Sequence, residues 1–124
     1  MPNVGDVILY IQHKRRVLRE VDSVGLMYLI NKAIDEDCFF FTQDTEGKIT
    51  GFLIGEKSER ERAIHITALQ ASNTKDFKLL IWKLYTSYKT WRFTATRRKK
   101  HKIYKSNDRL CRLITNLKKT WPML

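Results

Sequence analysis

The segment from Cys38 to Gly55 constrains this chain most. Two apolar runs, CFFFTQ over Cys38–Gln43 and KITGFLIG over Lys48–Gly55, flank Asp44, Thr45, Glu46 and Gly47. Short runs rich in Phe and Ile and bounded by turn residues read as strands, and a tight Asp/Gly-containing break joins them as a hairpin. A polar connection, Glu56–Arg62, leads to a third strand over Ala63–Ala71 (AIHITALQA). Ser72, Asn73 and Thr74 then open a helix through Tyr88, with Phe77, Leu80, Ile81, Leu84 and Tyr88 on one face. Asn73 and Asp76 stand at the spacing of a capping box. Thr90–Thr96 (TWRFTAT) alternates aromatic and polar residues as a strand does.

Helical patterns flank this block. Asp6 to about Val21 reads either as a helix opened by Asp6 or as a short strand over Val7–Ile11 with a helix behind it. Asp22 or Ser23 caps a second helix carrying Leu26, Leu29, Ile30 and Ala33, which ends near Ile34 at the acidic Asp35, Glu36 and Asp37. Ser106 or Asn107 caps a last helix with Leu110, Leu113, Ile114 and Leu117, stopped by Trp121-Pro122. The order helix, helix, three strands, helix, strand, helix describes an α+β domain with a mixed, mainly antiparallel sheet.

A chain of 124 residues suffices for one domain, 1–124, with one modest core. No apolar stretch approaches the roughly 18–20 residues of a membrane span. No basic-then-apolar leader opens the sequence, so no signal peptide is expected. Two cysteines, Cys38 and Cys111, are too few for a disulfide scaffold or a four-cysteine zinc site. Both read as core residues in a reduced, cytoplasmic setting. His13, His65 and His101 show no short ligand spacing, so no metal site is expected. No P-loop and no Ser/His/Asp arrangement is present.

Charge is unevenly spread. The net +11 divides into about −2 over residues 1–62 and about +13 over 63–124, where Asp76 and Asp108 are the only acids. A basic C-terminal half, centred on about 92–119, predicts a nucleic-acid or acidic-protein partner. The candidate contacts are Arg92, Arg97, Arg98, Lys99, Lys100, Lys102 and Lys105, interleaved with Trp91, Phe93 and Tyr104. Strand alternation turns Trp91 and Phe93 inward and Arg92 outward, so phosphate contacts without base readout are expected.

The element order over about residues 22–118 resembles the core of the GCN5-related N-acetyltransferase (GNAT) superfamily. The local patterns that carry the resemblance are FFFTQDTEGKITGFLIGE, IHITALQASNTKDFKLLIWKLY and TWRFTAT. It implies an acyl-coenzyme A lying where the two central strands splay apart. The pantetheine pairs with the first strand, and the pyrophosphate sits on the N-terminus of the crossover helix, where N–H groups and the helix dipole favour an anion. On this chain those positions fall on Ala71, Ser72, Asn73, Thr74, Lys75 and Lys78, with acetyl-coenzyme A as the implied cofactor. Glu56 or His65 would be the general base for an acceptor amine, tuned by its surroundings. Tyr104 matches the tyrosine that protonates the leaving thiolate, or it anchors the basic segment on the core with Ile103.

The family's phosphate loop carries alternating glycines, because only glycine lets the backbone wrap the phosphates. With Leu79-Leu80 aligned to the apolar pair after that loop, the glycine positions hold Thr74 and Asp76. A carboxylate in the first helical turn satisfies the dipole and repels a pyrophosphate. Small members without the loop occur among tailed-phage proteins, some as virion components, and this chain is similar to them in length, missing loop and basic tail. Three functions therefore follow: a degenerate acyl-coenzyme A-dependent N-acetyltransferase, a basic nucleic-acid-binding module without sequence specificity, or a viral structural or assembly protein.

Overall fold

Burial spacing decides the first element. Val7, Ile8 and Ile11 are buried while Leu9 is 64% exposed, which is the period of a helix and not the alternation of a strand. Val4–Lys14 accordingly form helix α1, and the alternative strand over Val7–Ile11 is not adopted. The computed structural model describes residues 4–14, 18, 20–99 and 102–105, with side chains through Ala95. Asp22 caps α2 (Ser23–Asp35), its Oδ1 accepting from the Gly25 N–H at 2.7 Å. Leu26, Ile30 and Ala33 are its buried face.

The hairpin forms as its turn chemistry dictates. Strands β1 (Phe39–Gln43) and β2 (Ile49–Ser58) pair antiparallel from Phe39↔Ile54 to Gln43↔Ile49. Asp44 Oδ1 accepts from the N–H groups of Glu46 and Lys48, each at 2.9 Å. Gly47 sits at φ +84°, a conformation that a side chain would strain. Strand β3 (Ala63–Ala71) pairs antiparallel with β2, and helix α3 (Thr74–Ser87) crosses over to β4 (Arg92–Lys99), which lies parallel to β3.

The basic run differs from expectation. It is not a connection between strand and helix: β4 continues through Arg97, Arg98 and Lys99, and β5 (Lys102–Lys105) pairs back on it antiparallel. Backbone hydrogen bonding defines this hairpin, and a run of charges with no apolar alternation gives no local sign of it. Tyr104 thus lies on β5 opposite Arg97, not after the last strand. The expected last helix falls outside the described residues.

Strand order is β1-β2-β3-β4-β5. One core layer lies between the sheet and α3, built on Leu53, Ile64, Ile66, Leu80, Ile81, Leu84 and Phe93. A second lies between the sheet and α1/α2, built on Val7, Ile11, Leu26, Ile30, Phe52 and Ile54. No helix among the described residues is long and apolar enough to cross a membrane.

Candidate functional site

A bulge in β3 shapes the centre of the sheet. Ile54 pairs with Ala68, but the next β2 residue, Gly55, pairs with Ile66, leaving Thr67 as the extra residue. The insertion reverses the alternation along the strand. Ile64 and Ile66 pack in the α3 layer, whereas Ala68 packs in the α1/α2 layer. Parallel pairing with β4 ends at the same place: it runs from Ala63↔Arg92 to Ile66↔Ala95 and no further. Beyond it β3 continues to Ala71, while β4 leaves to pair with β5. The two central strands therefore diverge at Thr67. Thr67 Oγ1 and Gln70 Oε1 are buried there without a hydrogen-bond partner among the described residues, an arrangement that ordinarily costs about 1–3 kcal/mol per group.

Beyond the divergence β3 leads to the N-terminus of α3, where one first-turn donor is engaged by a side-chain cap. Asn73 Oδ1 accepts from the Asp76 N–H at 2.8 Å, and Asn73 Nδ2 donates to Asp76 Oδ2 at 2.9 Å. The Phe77 N–H is bonded to the Asn73 carbonyl at 3.1 Å. Ser72 is held twice, its N–H on the Thr50 carbonyl at 2.7 Å and its Oγ 2.9 Å from the Tyr10 hydroxyl. Lys75 and Lys78 are exposed, and Ala71 is half-buried opposite Gly51. The cap occupies the Asp76 N–H and sets the Asp76 carboxylate in the first turn, where it disfavours an anion.

Two of the three acid–base candidates become neighbours. Glu56 pairs with His65 in the β2–β3 register, and His65 Nδ1 lies 2.9 Å from Thr94 Oγ1 on β4. Glu56 is exposed and His65 half-buried. This polar row crosses three strands just before the divergence. Tyr104 is on β5, on the other side of β4, at a rung past the end of β3–β4 pairing.

The basic candidates separate into two groups. Rungs Thr96↔Lys105, Arg97↔Tyr104, Arg98↔Ile103 and Lys99↔Lys102 gather five of them on the hairpin, over a length of about 10 Å. Lys100 falls between the two strands and lies outside the described residues. Arg92 is at the opposite end of β4, about 17 Å from Arg97 at strand rise, and its Nη2 is 3.8 Å from Glu61 Oε2. Phe93 is buried and Trp91 packs against the α3 core, where the alternation had placed them.

Sequence gave no sign of Thr67, Gln70 or Tyr10, whose positions depend on strand register and on contacts across some 60 residues. Cys38 is buried, as expected of a core residue, with its Sγ 3.9 Å from the Tyr88 hydroxyl. That hydroxyl donates to the Asp37 carbonyl at 2.9 Å. Burial pushes the Cys38 thiol up from its usual range, which makes it a packed residue and not a nucleophile. No group of three His, Cys, Asp or Glu side chains suited to a metal ion exists among the described residues. No protein-family model matches the chain, and no curated protein matches it in sequence.

Proposed function

We propose that this chain is a GNAT-like scaffold that binds a polyanion, nucleic acid in the first instance, through the β4–β5 hairpin, and that acyl transfer is not its activity. The observation that supports this is the hairpin itself. Once pairing with β3 ends at Ala95, β4 continues as an arm holding Arg97, Arg98, Lys99, Lys102 and Lys105 on successive rungs. Like charges directly opposite, as at Lys99↔Lys102, repel until an anion lies against them. Phosphates do so, and release of their counterions makes the binding salt-dependent. Phe93 and Trp91 are committed to the α3 core, so the contacts of the hairpin's cations with phosphates carry the binding.

The test is fluorescence anisotropy of a labelled duplex against salt, for wild type and for Arg97, Arg98, Lys99 and Lys102 all replaced by Gln. Loss of four phosphate contacts flattens the slope of log K against log salt by about 3 to 4. Unchanged binding by the variant overturns the reading.

One observation favours a second reading, a degenerate acetyl-coenzyme A-dependent N-acetyltransferase. The strands diverge at bulged Thr67, where such a fold takes its acyl arm, with Glu56–His65 beside the opening. That reading requires Asp76→Gly to strengthen acetyl-coenzyme A binding; no change in affinity argues against a cofactor position at α3. A virion or assembly role with an acidic protein partner predicts that neither ligand binds.

A further inference from the structure

Among the described residues, the large apolar side chains left open are Leu9, Val24, Met27 and Tyr28, each between 50% and 77% exposed. All of them lie on α1 and α2. Val24, Met27 and Tyr28 stand at i, i+3 and i+4 and so neighbour one another on α2, apart from the buried Leu26, Ile30 and Ala33. Late in α1, Gln12 Nε2 donates to Ser23 Oγ at the start of α2 at 2.8 Å. Leu9 is one turn back from that bond and Met27 one turn on, so the two helices present one outer patch.

By usual side-chain areas the patch opens roughly 200–400 Å² of apolar surface. Single apolar residues on a surface need no partner, whereas a contiguous patch of a few hundred Å² marks a contact site. A homodimer contact buries about 800 Å² on each copy, about two-thirds of it apolar, and the patch supplies about half of that apolar share. Gln12 and Asn31, uncharged and exposed, extend it.

Charge selects a second copy as the occupant. At net +11 two copies repel each other, and they meet at least cost through the half that is near −2. Helices α1 and α2 belong to that half. They pack on β1 and β2 and make no contact with β4 or β5. The basic hairpin begins two strands beyond β2, about 10 Å away at sheet spacing. Salt at about 0.15 M screens charges beyond about 8 Å, so the hairpins oppose such a contact little.

We infer that this chain forms a symmetric dimer through the α1/α2 patch, α2 against α2 of the second copy, with both β4–β5 hairpins left outside. Antiparallel packing about a two-fold axis sets Tyr28, midway along the open stripe from Val24 to Lys32, beside its own counterpart.

Sedimentation velocity of the full, nuclease-treated chain, from about 5 to 200 μM at about 0.15 and 0.5 M salt, tests this in the range where a contact of this size assembles. The mass rises towards twice that of the 124-residue chain and survives the higher salt, because apolar burial is not screened. Val24→Glu places a carboxylate in the patch yet suits the first turn of α2. An isologous contact meets that change twice, and assembly weakens by about tenfold or more. Tyr28→Glu has the same effect, while Thr86→Glu, exposed on α3, leaves assembly unchanged. Urea midpoints of all three, taken at low concentration, stay at that of wild type and show the fold intact. Wild type at the mass of one chain throughout overturns the dimer and leaves the patch to a different partner. So does a Val24→Glu, Tyr28→Glu double variant that assembles like wild type. Assembly abolished by the higher salt also overturns it, placing the contact on opposite charges. None of these results touches the hairpin reading, which is tested separately.

Discussion

Replacing Asn73 by Ala tests whether the start of α3 is a closed structural cap or an open anion site. The substitution removes the acceptor of the Asp76 N–H at 2.8 Å and the donor to Asp76 Oδ2 at 2.9 Å. Loss of an Asn cap costs about 1 kcal/mol, within a range of roughly 0.5–2. The second bond joins two side chains in water and adds a few tenths at most. A total of about 1–1.5 kcal/mol, at a urea slope of about 1.5 kcal/mol/M, lowers the denaturation midpoint by roughly 0.7–1 M. The slope itself stays constant, because no core side chain is disturbed. Asn73→Ser retains the capping oxygen and recovers most of the loss. Asp76→Ala loses the favourable first-turn charge, about 0.3–1 kcal/mol. The double variant costs less than the sum of the singles, since the two residues share a bond. A midpoint for Asn73→Ala that stays within about 0.1 M of wild type would show that the cap carries no stability. The start of α3 would then be open to an anion.

Other outcomes follow from the same structure. Phe52→Ala, at a fully buried site in the α1/α2 layer, costs about 3–5 kcal/mol by urea denaturation. Leu9→Ala, 64% exposed, stays within about 0.5 kcal/mol, and equal effects would refute the burial pattern of α1. Burial raises the Cys38 and Tyr88 pKa values, so the folded chain holds protons that the unfolded chain releases. Stability is therefore full below about pH 8.5, where an unfolded thiol begins to ionise, and declines as the pH rises further. Cys38→Ala flattens that decline between about pH 8.5 and 10, measured as the unfolding free energy against pH; an identical decline in the variant contradicts it. Folded wild-type protein also reacts with a thiol reagent at Cys38 far more slowly than urea-unfolded protein, and similar rates would place the thiol at the surface.

Local chemistry made much of the fold legible. Asp44 and Gly47 announce a turn between apolar runs, and the structure uses both. Asn73 and Asp76 announce a cap and form one. Asp22 does the same for α2. The ambiguity at Val7–Ile11 disappeared only with tertiary packing, because Val7, Ile8 and Ile11 have to reach Leu26 and Phe52 together. The β4–β5 hairpin was hidden, since it is written in backbone pairing beneath a run of like charges. Thr67 was hidden for another reason: a bulge is a mismatch between two strands, and neither AIHITALQA nor KITGFLIG contains it alone. The sequence brought Glu56 and His65 into view as separate residues. Only the register showed them as a cross-strand pair, with Thr94 completing the row.

As proposed, this scaffold meets a polyanion and not an acyl-coenzyme A. A thermal-shift titration at one moderate salt concentration, with acetyl-coenzyme A and a short oligonucleotide run in parallel, tests it most directly, because a ligand that binds only the folded state raises the melting temperature once it exceeds its dissociation constant. A saturable rise with the oligonucleotide and a flat response to millimolar acetyl-coenzyme A are expected. A saturable rise with acetyl-coenzyme A and none with the oligonucleotide would contradict it.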